Sequence, residues 1–375
     1  MRRLPLLIVL LHAYIALRLL PALPVVWAGA VCALLLASAA ALSLGLLSAR
    51  MPRRTLSERL GWGGLLAAGA FSSLLVLTLA RDAMLLVAHP VTPALLSQDG
   101  FNELRTLSAG GVPLLAIAFT LIGFINARSP ARVKRVDVPI DDLPPALHGF
   151  TIAQVSDLHV GPTIKRKYVD AVVSAVNELQ ADLIAVTGDL VDGSVAELAE
   201  HTAPLAQLSA RHGTYFVTGN HEYYSGARGW ITELRRLGLR VLLNEHVVLD
   251  HRGGSIVVAG VTDFSAHHFD AAHASDPAKS LRGAPADAVK LLLAHQPRSA
   301  FDAQRAGFHL QLSGHTHGGQ FLPWNFFVRL QQPFTAGLHR LGRLWVYVSR
   351  GTGYWGPPKR LGAPSEITHV RLVPA

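Results

Sequence analysis

Residues 150–159 read FTIAQVSDLH, an apolar run that stops at an aspartate and a histidine. Its first eight residues read as a buried strand. The following KRKYVDAVVSAVNELQ (165–180) spaces its apolar positions as an amphipathic helix does. ADLIAVTGD (181–189) then reads as a strand, VAELAEHTAPLAQLSA (195–210) as a helix and GTYFVTGN (213–220) as a strand. Further strands are expected at RVLLN (240–244), SIVVAGV (255–261), AVKLLLAH (288–295), FHLQLSGH (308–315), LWVYVSR (344–350) and EITHVRLV (366–373). Strand and helix alternate first and strands crowd later. That order predicts an α/β layered domain in which parallel units give way to a more antiparallel second sheet.

Nearly every early strand ends in a side chain fit to bind a cation: Asp157 and His159, then Asp189, then Asn220 and His221, then His295, then His315 and His317. In open α/β sheets, sites gather at the carboxyl ends of strands, so these separate positions are expected to converge on one cleft. In the last pair, only Thr316 separates two imidazoles, and on an extended strand residues i and i+2 leave the same face. Each position has a plainer reading. Asp157 and Asp189 precede candidate helices and suit N-caps; His159 and His295 suit interior histidines; Gly219-Asn220 suits a turn. The plainer readings do not supply the joint placement.

Carboxylate, imidazole and amide oxygen without thiolate suit a divalent ion such as Mn, Fe or Zn. Seven such side chains are too many for one tetrahedral site. Two ions about 3.5–4 Å apart, sharing a carboxylate, would use them all. Two such ions bring four positive charges. Asp157, Asp189 and a bridging hydroxide remove three, which leaves a site that attracts a phosphoryl group and holds a nucleophile formed from water at neutral pH.

The blocks DLH (157–159), GDLVD (188–192), GNHE (219–222), the histidine after an apolar strand (His295) and GHTHGGQ (314–320) resemble, in order, the signature of the calcineurin-like metallophosphoesterase superfamily. The resemblance covers roughly residues 148–373. The tail SRGTGYWGPPKRLGAPSEITHVRL (349–372) is similar to the bacterial membrane-associated phosphodiesterase branch. The resemblance implies a four-layer αββα sandwich. It implies Asp157, His159 and His317 on one metal, Asn220, His295 and His315 on the other, and Asp189 bridging. His221 matches the family's catalytic histidine, an imidazole suited to stabilise the transition state or protonate a leaving oxygen. Asp192 is read as orienting a ligand histidine from behind.

The first third of the chain is different in kind. Four stretches, roughly 4–21, 24–48, 60–80 and 110–126, lack charge for long enough to cross a bilayer, which takes about 20 residues. The expected organisation is a bundle of about four transmembrane helices over 1–127, a charged and proline-rich linker over 128–147, and a catalytic domain over 148–375. Arg2, Arg3, Arg50, Arg53, Arg54, Arg59, Arg128, Arg132, Lys134 and Arg135 fall on one side of that topology, against Arg18, Arg81 and Arg105 on the other. The richer side is expected to be cytoplasmic, in a bacterial inner membrane, and the catalytic domain with it. The net charge of +9 is assigned to lipid headgroups, and no nucleic-acid partner is expected. The sole cysteine, Cys32, excludes a disulfide within the chain and thiolate metal sites.

The function expected from these features is a membrane-anchored phosphoesterase acting on a phosphodiester or pyrophosphate, with the membrane address pointing to a lipid-linked substrate. The alternative is a catalytically retired sensor or scaffold that keeps the fold. A transporter finds little support, because ionisable residues in the apolar stretches are few and Arg81 and Asp82 are read at a helix end. Two further stretches stand out. Lys165, Arg166 and Lys167 lie near the expected mouth, as anion contacts or as a solvated helix start. The aromatic run FLPWNFFVRLQQPF (321–334) reads as a wall that admits lipid or as packing beneath a loop.

Overall fold

The computed structural model describes residues 4–48, 54–95 and 97–375. Arg2, Arg3, Arg50 and Arg53, on which the orientation reading partly rests, lie outside them. The chain divides into two units, one of residues 1–125 with 356–359 and one of residues 126–355 with 360–375.

The first unit contains α1 (Leu4–Leu19), α2 (Val25–Ser48), α3 (Arg54–Leu95) and α4 (Gln98–Arg128). All four are long and apolar enough to span a bilayer. A small core of Ile15, Leu19, Val31, Leu35, Leu74, Val112 and Ala116 joins them, while Leu6, Val9, Leu36, Leu114 and Leu121 point outward, as lipid-facing side chains do. At Gly45 and Gly64 the backbones of α2 and α3 meet so closely that a Cβ on either would fall 2.6 Å from the other's Cα. Small residues at such crossings let helices approach where lipid supplies no hydrophobic drive.

Two expectations are corrected here. The third and fourth helices outrun their apolar windows, so the stretch 85–108, read as a loop, is largely helical. Arg81 and Asp82 therefore lie inside α3 rather than at its end. Arg81 donates to Ser108 Oγ and to the carbonyls of Arg18 and Arg105. Asp82 accepts from Tyr14 (2.6 Å) and Arg18 (2.8 Å). The Arg81 charge persists inside the bundle because its donors meet Ser108 and two backbone carbonyls there.

The second unit is built on two six-stranded sheets. In chain order the strands are β1 (Arg132–Ile140), β2 (Thr151–Val155), β3 (Leu183–Val186), β4 (Thr214–Phe216), β5 (Arg240–Val241), β6 (Glu245–His251), β7 (Gly254–Gly260), β8 (Val289–Leu293), β9 (Leu310–Ser313), β10 (Gly337–Leu341), β11 (Leu344–Val348) and β12 (Glu366–Pro374). One sheet runs β1-β12-β2-β3-β4-β5 and the other β10-β11-β9-β8-β7-β6. Their inner faces share one core, including Phe150, Ile152, Leu183, Tyr215, Val258, Leu291, Leu293, Leu312, Tyr347 and Val370.

Helices cover the outer faces. On the first sheet lie α5 (Arg166–Glu178), α6 (Val195–Thr202), α7 (Asn220–Tyr224) and α8 (Ala227–Arg236). Val169, Val172, Val173 and Val176 of α5 line up at helical spacing against Ala153, Val155 and Ile184. On the second lie α9 (Pro277–Ser280) and α10 (Ala300–Ala306), whose Ala300 and Ala303 pack on Val257, Leu292 and Val346. The result is the four-layer αββα sandwich.

Residues 132–140, read as part of a charged linker, form β1 and pair in parallel with β12. The second sheet is also less antiparallel than expected: β7, β8, β9 and β11 run parallel, and only the edge pairs β6–β7 and β10–β11 are antiparallel. The helix read over 195–210 ends as α-helix at Thr202, because Pro204 has no N–H to continue it.

Leu183, the first residue of β3, is fully buried between the sheets. Leu183→Ala should cost about 2–5 kcal/mol and lower the melting temperature of the solubilised chain by roughly 5–15 °C. A shift under roughly 2 °C would show that the inter-sheet layer does not carry the domain's stability.

Candidate metal centre

Parallel strands β2, β3 and β4 of one sheet and β8 and β9 of the other end at the same edge of the sandwich. The polar residues that follow them meet there. Asp157 and His159 follow β2, Asp189 follows β3, Asn220 opens α7 after β4, His295 follows β8, and His315 and His317 follow β9. Three clusters form whose ligand atoms all lie within 4.8 Å of one another: Asp157–His159–His317, Asp189–His295–His315 and His159–Asp189–His221. Asp189 belongs to two of them and touches both sides of the site. Its Oδ2 lies 3.1 Å from His295 Nε2, 3.9 Å from His159 Nε2 and 4.0 Å from His221 Nε2.

The clusters bring together six of the seven candidate ligands and His221, with Asn220 adjoining His221 in the chain, and the local geometry differs from a simple strand. Asp157, His159, Asp189, His315 and His317 all have φ between 51° and 71°. Left-handed backbone is unfavourable for such residues and tends to collect where side chains must be aimed at one point. His315 and His317 thus diverge. His315 Nδ1 stands 3.2 Å from His295 Nε2, and His317 Nε2 stands 3.0 Å from His159 Nε2.

Close backbone approach makes room for this convergence. A Cβ on Gly219 would sit 2.2 Å from Asp189 Oδ1, and one on Gly314 would sit 2.1 Å from Asp157 Oδ2. The space is held for carboxylates.

Electrostatics describe a site that calls for cations. Asp157 and Asp189 are essentially inaccessible to solvent. Burial, with the charge of Asp189 adding to it, pushes the Asp157 carboxyl up. Burial opposes ionisation of Asp189 too, yet His295, His221 and His159 around it hold it well below the usual carboxylate range. Burial disfavours charge on His159, but Asp192, Asp189 and Asp157 outweigh it and raise that ring to about 9. Burial and the neighbouring His295 push His315 down to about 3. Protons on some histidines therefore balance the acids, a task a divalent ion performs with more charge.

The donor set fits such an ion. Asn220 Oδ1 is buried and accepts no hydrogen bond among the described residues, which leaves a hard oxygen lone pair unsatisfied. His295 Nδ1 is 2.8 Å from the Thr187 carbonyl, and His159 Nδ1 is 3.0 Å from Asp192 Oδ1. Contacts of this kind on the far nitrogen orient an imidazole and leave Nε2 for a metal.

Three further residues shape the site. Asp192 Oδ1 also lies 2.6 Å from His221 Nδ1, so one carboxylate steers a candidate ligand and the candidate catalytic histidine. Glu222, wholly buried, accepts from the amides of Asp189 (3.0 Å), Leu190 (2.7 Å) and Gly219 (2.6 Å). It clamps the β3 and β4 loops together, and burial with the nearby Asp189 charge lifts its carboxyl to about 7. Arg360, fully buried, donates to the carbonyls of His317, Arg350 and Ala363 and pins the third loop. Glu222 stands in the GNHE block and Arg360 in the tail, but burial and loop contacts of this sort leave no mark in a sequence.

The family model described as calcineurin-like phosphoesterase matches residues 150–319. A bovine "transmembrane protein with metallophosphoesterase domain" is 40% identical over 311 residues, covering 80% of this chain and 70% of the relative. The chain belongs to the calcineurin-like phosphoesterase family. The zebrafish protein of the same description is 38% identical over 267 residues, covering 69% of this chain; the match spans 61% of the zebrafish protein's length. An uncharacterized metallophosphoesterase of Helicobacter pylori strain J99 is 36% identical over 266 residues, covering 70% of each chain. The relatives of this calcineurin-like chain thus include bacterial and vertebrate proteins, some described as transmembrane.

Gly219→Ala forces Asp189 aside without touching any candidate ligand chemically. Titration of the purified chain with Mn2+ should show affinity reduced about 10–100-fold, and the melting temperature should fall as well, because the new Cβ would also lie 2.6 Å from the Asp189 backbone N. Unaltered Mn2+ affinity would mean that Asp189 holds no ion.

Proposed function

We propose that this protein is a membrane-anchored phosphoesterase that cleaves a phosphodiester or pyrophosphate bond using two divalent ions, Mn, Fe or Zn. The observation that carries the reading is Asp189, a buried carboxylate common to two clusters of candidate ligands. Asp157, His159 and His317 hold one ion; Asn220, His295 and His315 hold the other; Asp189 is shared. When bound, such a pair supplies Lewis acidity to phosphoryl oxygens and makes a water nucleophilic near neutral pH.

The chain's own groups do the rest. Asp192 accepts the Nδ1 proton of His221 and turns its Nε2 toward the cluster, where it protonates the leaving oxygen or stabilises charge on it. Glu222 and Arg360 keep the loops at fixed separation, so the reacting groups need little reorganisation. Gly188, Gly219 and Gly314 leave the carboxylates their space.

The chain is a membrane protein by its four spans. We place it in a bacterial inner membrane with the phosphoesterase unit on the cytoplasmic side, following the basic residues beside the helix ends; reporter fusions at residue 135 test that side. The membrane address favours a lipid-linked phosphoester. The oligomeric state is left open.

Purified full chain with Mn2+ should hydrolyse an aryl phosphodiester, and chelation should stop it reversibly. Asp189→Ala should abolish turnover and lower the metal content. His221→Asn should keep the metal and lose roughly 10²–10⁴-fold in kcat. Metal content near zero in gently purified protein would favour the retired scaffold instead, and unchanged rates in both variants would defeat the assignment of the site.

A further inference from the structure

The aromatic run after the GHTH block is not core packing. Among its large apolar side chains Phe321 is buried and Phe334 packs partly against the outer core of the second sheet. Between them α11 (Trp324–Phe327) and the turn after it expose Leu322, Trp324, Phe326 (66%), Phe327 and Leu330 (82%). Large apolar side chains this open and this close in sequence form a contiguous patch, which soluble surfaces seldom leave uncovered.

The patch leads to the candidate catalytic histidine. Gln320, three residues past His317, donates through its amide to the Trp355 carbonyl and accepts from the Trp355 amide, each at 2.8 Å. Trp355, itself half exposed, packs edge-on against His221 with ring centroids 5.9 Å apart. On the other side of His221 the exposed Tyr224 ring lies 5.2 Å away. At the far end of the run Arg298 donates to the Gln331 carbonyl, its Nε has no hydrogen-bond acceptor among the described residues, and its charge is felt at His315. The apolar lip thus lies between two approaches to the cluster, Trp355 beside His221 at one end and the Arg298 cation, whose charge is felt at His315, at the other. That is the layout a headgroup phosphate with a hydrocarbon tail would match. Hydrocarbon chains are also the apolar ligand in supply, because the protein spans a bilayer.

We propose that Leu322, Trp324, Phe326, Phe327, Leu330 and Trp355 form a binding site for the alkyl or acyl tail of the phosphoester substrate, with Trp355 joining the tail site to His221. The proposal rests on the phosphoesterase reading above.

The test uses the full chain in nanodiscs with Mn2+ and two diesters that share one scissile bond, p-nitrophenyl tetradecyl phosphate and p-nitrophenyl ethyl phosphate. Wild type should favour the long ester at least tenfold in kcat/KM. Phe326→Ser combined with Phe327→Ser and Leu330→Ser should erase most of that preference while the ethyl ester is cleaved within twofold of wild type. A preference that survives, or an equal fall on both esters, overturns the proposal.

A bimane probe at Phe326→Cys in a Cys32→Ser background gives a readout without turnover. Its emission should shift blue with tetradecylphosphonate and not with ethylphosphonate. No shift overturns the tail site. A shift in a protein that cleaves neither ester overturns the phosphoesterase reading and leaves the tail site standing. Quenching by doxyl lipid before any phosphonate is added makes these residues a bilayer anchor and overturns the tail site.

Discussion

Two carboxylates, Asp157 and Asp189, are buried at one edge of a β-sandwich among five imidazoles, and most of the local structure follows from accommodating them. A buried carboxylate with no compensating charge costs several kcal/mol. The domain meets that cost with partners instead of solvent. His315 donates its backbone N–H to both oxygens of Asp157, at 2.9 and 3.1 Å, and the His221 N–H donates to Asp189 Oδ1 at 2.8 Å. The remaining lone pairs face Nε2 atoms of His295, His159 and His317. A region so dense in lone pairs, with Asn220 Oδ1 also unsatisfied, is better balanced by cations than by protons.

The sandwich exists to bring those groups together. Two parallel sheet segments end at a common edge, and each strand delivers one or two ligands through a short loop, with left-handed backbone at Asp157, His159, Asp189, His315 and His317. Glycines at 188, 219 and 314 let loops cross at distances no Cβ would tolerate. Glu222 and Arg360 then fix loop to loop. Neither is in any of the three clusters, yet each sets where a cluster member stands.

Much of this was legible in the chain. Apolar runs that stop at Asp, Asn or His located β2, β3, β4, β8 and β9, starting within two residues of each strand and running two to four residues past its end, because a fully buried strand must end where a polar side chain is needed. What was not legible depended on partners distant in sequence. β1 reads as a linker, since Arg132, Lys134 and Arg135 are exposed at an edge and only pairing with β12 makes the segment a strand. β6 and β10 are half-exposed edge strands with a similarly weak pattern. The reach of α3 and α4 was underestimated because helices continue past the apolar window that a bilayer needs, which also hid Arg81 within the bundle. His315 and His317 were read through strand alternation, whereas a turn separates them onto two clusters.

Membrane helices, a polar cluster and an exposed apolar lip thus occur in one chain, and the proposed chemistry links them through Asp189 as the shared carboxylate. The most direct measurement is electron paramagnetic resonance of the manganese-loaded full chain in frozen solution, with metal content determined in parallel. The account predicts two manganese ions per chain giving an exchange-coupled spectrum, and loss of the coupling in Asp189→Asn. A fully loaded wild type that shows only isolated, uncoupled Mn2+ would contradict it.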